Sequence, residues 1–109
     1  MTKVVVDPGI CGFTSIIETA RLSTSKVRIT ITTDCDMISR LGSELKELDW
    51  RNALGSLKDS LVYKSAFQHV KHSACPIPAA ILKSIEVEVG AALPKDVVIH
   101  IETINSKDG

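Results

Sequence analysis

The stretch Lys26-Val-Arg-Ile-Thr-Ile-Thr-Thr-Asp34 decides the fold class. Its residues alternate without a break, placing Val27, Ile29, Ile31 and Thr33 on one face and Arg28, Thr30, Thr32 and Asp34 on the other. A period of two in β-branched residues is the signature of a half-buried strand, because successive side chains of an extended chain point to opposite sides. A sheet with one apolar and one polar face needs a second layer on the apolar side only. By parity Cys35 continues the buried face.

Upstream, Lys3 to Val6 reads as a short strand that stops at the turn signature Asp7-Pro8-Gly9. Phe13 to Leu22 reads as a second strand, with Ile16 and Ile17 at its middle, and Ser23-Thr24-Ser25 as the polar turn into the third. Downstream the period changes. Ile38, Leu41, Leu45 and Leu48 recur at helical spacing behind Asp36, a good N-cap. Ser56-Leu-Lys-Asp59 resembles a capping box and predicts a second helix through Leu61, Ala66 and Val70. Cys75-Pro-Ile-Pro78 opens a third, since a first helical turn tolerates prolines that lack an N–H. Ile77, Ile81, Ile85 and Val89 form its buried stripe, and Gly90 is its stop. Asp96 to Thr103 (DVVIHIET) reads as a last strand. The expected order is β-β-β-α-α-α-β: a two-layer α+β sandwich, its sheet mostly antiparallel and its helices on one face. One domain spans 1–104, and 105–109 form a frayed polar tail. The open face is expected to carry Arg28, Thr30, Thr32, Glu18, His100 and Glu102.

Composition narrows the function classes. The 109 residues balance 13 Lys+Arg against 13 Asp+Glu, and 4% are aromatic. A zero formal charge and few stacking rings argue against a nucleic-acid binder. No apolar run approaches the about 20 residues of a membrane helix, and the first residues do not read as a signal peptide. The expected setting is therefore cytoplasmic, where thiols stay reduced.

Three cysteines remain, and three cannot all pair within one chain. Cys11 lies in the loop between the first two strands, Cys35 between the third strand and the first helix, and Cys75 ahead of the third helix. None sits in the middle of an amphipathic stripe. Two precede helix N-termini, where unpaired N–H groups favour a thiolate, a better nucleophile and metal ligand than a thiol. Asp34 and Asp36 oppose that at Cys35, and a bound cation would reverse the opposition. The spacing contains no CxxC, so convergence has to come from the fold. A site of Cys11, Cys35 and Cys75 for zinc or an iron–sulfur cluster is the leading expectation, with His72 or Asp7 as candidates for a fourth ligand. Small buried hydrophobes are the plainer alternative for the cysteines. His69 also fits a helix C-terminus, and Asp7 a turn. A dimeric interaction module, pairing through the open sheet face, is a third reading.

Cys75-Pro-Ile-Pro78-Ala-Ala-Ile-Leu-Lys83 resembles the Cys-Pro-x-Pro motif of the TusA/SirA sulfur-carrier family, in which the motif opens a helix leading through Gly into a strand. That resemblance implies Cys75 as a persulfide-carrying catalytic residue. It is local to the motif, helix and following strand, and the motif here sits toward the C-terminal end. Taken whole, CGFTS, TDCDM, HSACPIPAAILKSIEVEVG and LPKDV are similar to a family of small, uncharacterised archaeal and bacterial proteins with a cysteine in each of three blocks.

Overall fold

A computed structural model describes residues 1–105; residues 106–109, most of the expected polar tail, lie outside the described residues. Four antiparallel strands, β1 (Thr2–Val6), β2 (Ser15–Arg21), β3 (Lys26–Thr32) and β4 (Glu47–Asp49), follow one another across the sheet in chain order. Four helices, α1 (Asp36–Glu44), α2 (Trp50–Ala53), α3 (Leu61–His69) and α4 (Ile77–Glu88), complete an α+β fold.

The alternation of β3 places Val27 and Ile29 in the core and leaves Arg28, Thr30 and Thr32 exposed. Register does the rest. Ile17 of β2 stands between Val4 of β1 and Ile31 of β3, so the apolar faces of the three strands coincide. Onto that face α4 lays Ile77, Ile81 and Ile85, all essentially sealed from solvent, across β1 and β2. Helix α1 covers β3 with Ile38 and Leu41, and α3 fills the layer with Val62 and Ala66. Full burial of each such Leu, Ile or Val side chain stabilises by about 1.5–3 kcal/mol relative to exposure.

The ends of α4 follow the expectation closely. Pro76 is its N-cap and Pro78 lies in the first turn. At the other end Gly90 adopts φ +80, the Ala91 N–H donates to the Glu86 carbonyl (2.8 Å) and the Gly90 N–H to the Val87 carbonyl (3.2 Å). This doubly bonded glycine stop satisfies carbonyls that the helix end would otherwise leave open.

Four expectations are corrected. Cys35, not Asp36, is the N-cap of α1, in extended backbone at φ −83 and ψ 119; Asp36 contributes a first-turn carboxylate instead. Leu48 belongs to β4, because α1 ends at Glu44 and the chain turns back to pair Val27 with Leu48. Ser56 does bond Asp59 (Oγ to Oδ2, 3.1 Å), but side chain to side chain within a turn rather than as a capping box, and Ser60 holds the N-cap position of α3 without a side-chain capping bond. Finally, Asp96–Thr103 runs unpaired and exposed, so His100 and Glu102 are not on the sheet; they bond each other at 2.8 Å. The segment lies beyond the glycine stop with no neighbouring strand to supply the ladder bonds that make extended chain a strand.

Candidate functional site

The three cysteines come from three junctions of the fold. Cys11 ends a 3-10 turn, Gly9–Cys11, between β1 and β2 and is exposed. The turn is held by glycines at both sides, Gly9 at φ +82 and Gly12 at φ +75, with the Gly12 N–H donating to the Gly9 carbonyl at 3.0 Å. Backbone in this left-handed region favours glycine, which has no Cβ to clash.

Cys35 joins β3 to α1 and is half-buried against the core. Its N–H donates to the Thr33 Oγ1 at 3.1 Å, and that oxygen also accepts the Ser15 hydroxyl at 2.9 Å. Thr33 thus ties the Cys35 backbone to the buried start of β2. The Cys35 carbonyl accepts the Ser39 N–H (2.9 Å), the first bond of the helix.

Cys75 joins α3 to α4 and is also half-buried. Its N–H donates to the His72 carbonyl at 3.1 Å, and its thiol faces the N–H of Ile77 at the start of α4. Burial pushes the thiol pKa up, the Ile77 N–H pulls it down, and charge on Cys35 and Cys11 pushes it up further; the net shift is upward. Like charge from the other two thiols is a minor part of this shift, behind burial and the Ile77 N–H. Among the described residues, no three His, Cys, Asp or Glu side chains stand in a metal-holding group.

The other sequence-predicted residues separate. Asp7 is exposed, and its Oδ1 accepts the Gly9 N–H at 3.1 Å, the turn role of an Asp-Pro-Gly. The His72 side chain is exposed, and the backbone carbonyl is what bonds Cys75. His69, ending α3, lies 2.6 Å from Glu44 at the end of α1. Two open grooves of about 520 Å³ each run beside Arg51, Gly55 and Lys64 and between β3 and α1, and neither is lined by a cysteine.

Sequence reasoning missed Thr33 and Ser15 as the supports of Cys35; the only signal was a hydroxyl at each strand end. It also missed Glu88. That carboxylate accepts the Thr2 hydroxyl at 2.8 Å and the Arg21 N–H at 2.9 Å, and lies 3.5 Å from the Met1 ammonium. It pins the last turn of α4 to the ends of β1 and β2.

No helix among the described residues is long and apolar enough to cross a membrane. The chain belongs to a family of unknown function (DUF6951), whose model matches residues 2–101, a span that takes in all three cysteines and reaches into the unpaired C-terminal segment. This bears out the resemblance to an uncharacterised family. No curated protein and no solved structure matches the chain.

Proposed function

We propose that Cys11, Cys35 and Cys75 bind one thiophilic centre, a zinc ion or an iron–sulfur cluster, in a reducing, cytoplasmic setting. What supports this reading is placement: all three cysteines stand at junctions of the fold, with Cys35 and Cys75 half-buried against the core just ahead of α1 and α4. Burial makes the Cys75 thiolate costly to form. A bound cation removes that cost, because it stabilises every thiolate around it. Water, His72 or Asp7 supplies the fourth position, the last two being one loop turn from a cysteine. Such a site requires the exposed Gly9–Cys11 turn to bring Cys11 to the other two.

Elemental analysis of anaerobically purified protein tests this. Near-stoichiometric zinc, or iron with sulfide, is expected in the wild type and is lost in Cys35→Ser and Cys75→Ser. A metal-free wild type whose thermal unfolding is unchanged by chelator overturns it.

The Ile77 N–H at the Cys75 thiol supports a second reading, a sulfur carrier. Here the Cys75 thiolate attacks the outer sulfur of a donor persulfide, forming Cys75–S–SH and releasing the donor thiol. A mass increase of one sulfur on Cys75 after incubation with a persulfide donor is expected, and its absence ends this reading. Polar, exposed Arg28, Thr30 and Thr32 are available for pairing through the open face, which is compatible with either chemistry.

A further inference from the structure

We infer that residues 97–104 are a β-strand donated to a second copy of this chain, where it extends the sheet at the free edge of β1. The segment has the composition of a strand and none of its bonds. Val97, Val98, Ile99, Ile101 and Ile104 are between 59% and 85% exposed, and every residue from Leu93 to Asn105 is exposed to solvent. β-branched residues in this density are costly to leave in water and fit a pleated, half-buried surface. His100 and Glu102, two apart, bond each other, as side chains on one side of an extended chain do. Val97, Ile99 and Ile101 therefore share one face, and Val98, His100, Glu102 and Ile104 the other.

The acceptor is on the same chain. Among the described residues the sheet order leaves the outer side of β1 without a partner strand, and β1 (Thr-Lys-Val-Val-Val) has no proline or bulge that blunts a strand edge. The two match face for face. Val4 and Val6 pack on the core yet stay part-exposed, and an added strand presenting Val97, Ile99 and Ile101 on that side covers them. On the open side β1 exposes Lys3 and Val5, against which the other face brings Glu102 and an apolar Val98 or Ile104.

Donor and acceptor in one chain make a second copy the occupant. Exchange about a two-fold axis satisfies both segments and both edges at once and leaves no open end. The formal net charge of zero sets no repulsion against it. The segment also leaves its own body rather than folding back: it follows the glycine stop of α4, and the molecule measures 57 Å along its longest axis against 29 and 25 Å across. Six residues between Gly90 and Val97 give a tether of about 20 Å, ample for crossing to a neighbour.

Sedimentation of the full chain, combined with hydrogen exchange, tests this. A dimer is expected, with slowed exchange at 97–104 and along β1, both lost in Ile99→Pro and kept in Ile99→Val. Proline removes a ladder donor without touching the folded body, and unchanged circular dichroism of that variant checks the body. Three results overturn the inference: a monomer with a freely exchanging segment, a monomer with a protected segment (pairing on its own sheet), or a dimer that survives Ile99→Pro.

Discussion

The hydroxyls of Thr19 on β2 and Ser84 on α4 lie 2.8 Å apart with both residues fully buried. Ser84 has one hydroxyl proton, and the Ile81 carbonyl at 2.6 Å takes it. Thr19 is then the donor, and Ser84 the relay from sheet to helix backbone. Ser84→Ala strands a buried donor and is expected to destabilise by about 1–3 kcal/mol. Thr19→Val keeps shape and loses less. In the double variant neither hydroxyl is left alone, so chemical unfolding is expected to give a total below the sum of the singles by at least about 0.5 kcal/mol.

Glu88 sets an acid limit on stability. Burial pushes its carboxyl pKa up, but bonds from Thr2 and Arg21 and the N-terminal ammonium outweigh this, holding it below its ordinary 4.5. A folded pKa below the unfolded one gives stability that is present above the ordinary value and is lost as pH falls through the folded one. Denaturant midpoints of the wild type should therefore drop on acidification below 4.5, beyond what other carboxylates cause. Glu88→Gln should start less stable at neutral pH and show a shallower acid decline, because an amide offers one acceptor where two donors arrive.

Cys75 is expected to alkylate more slowly near neutral pH than an ordinary thiol in metal-free, reduced protein. Burial is the main cause and survives any change at the other cysteines. Cys35→Ser or Cys11→Ser removes only a like charge, so each should lower the Cys75 pKa modestly, read as an earlier rise in alkylation rate with pH. An unchanged profile in both variants means the three thiols do not share a field.

Gly90→Ala puts a Cβ in a left-handed backbone at φ +80, with nothing within 4 Å to clash. The cost is conformational alone, about 1 kcal/mol. Gly90→Asn should recover part of it, since Asn tolerates this region better. Thermal unfolding separates the two.

Much of the fold was legible because two signals were local. The alternation of Lys26 to Thr32 names its own buried face, and α4 is bracketed by Pro76–Pro78 and Gly90. Leu48 misled because its spacing from Leu41 and Leu45 continues a helical stripe by coincidence. The helix ends, the chain reverses, and Leu48 reaches the same core from a strand at 4% exposure. Ser56 and Ser60 are both of a cap-favouring residue type, and only the turn between them decides that Ser60 stands at the start of α3. For the last segment, alternation announced a strand but carried no information on where its partner lies. Cysteine positions at element ends were readable, whereas their relative placement was not, because it depends on how α1 and α4 are laid on either side of α3 against the sheet.

The origin of the three thiols in separate parts of the fold has a kinetic consequence for anything that engages them all. Cys11 depends on the β1–β2 hairpin, Cys35 on the β3–α1 junction, and Cys75 on α4 docking late in the chain. A chain whose last helix has not seated lacks the third of these junctions. Anything that engages all three acts as a clasp between the two ends of the sequence, and grips only finished molecules. Its grip and the lifetime of the folded state then rise together, since what binds the native chain alone also withdraws it from unfolding.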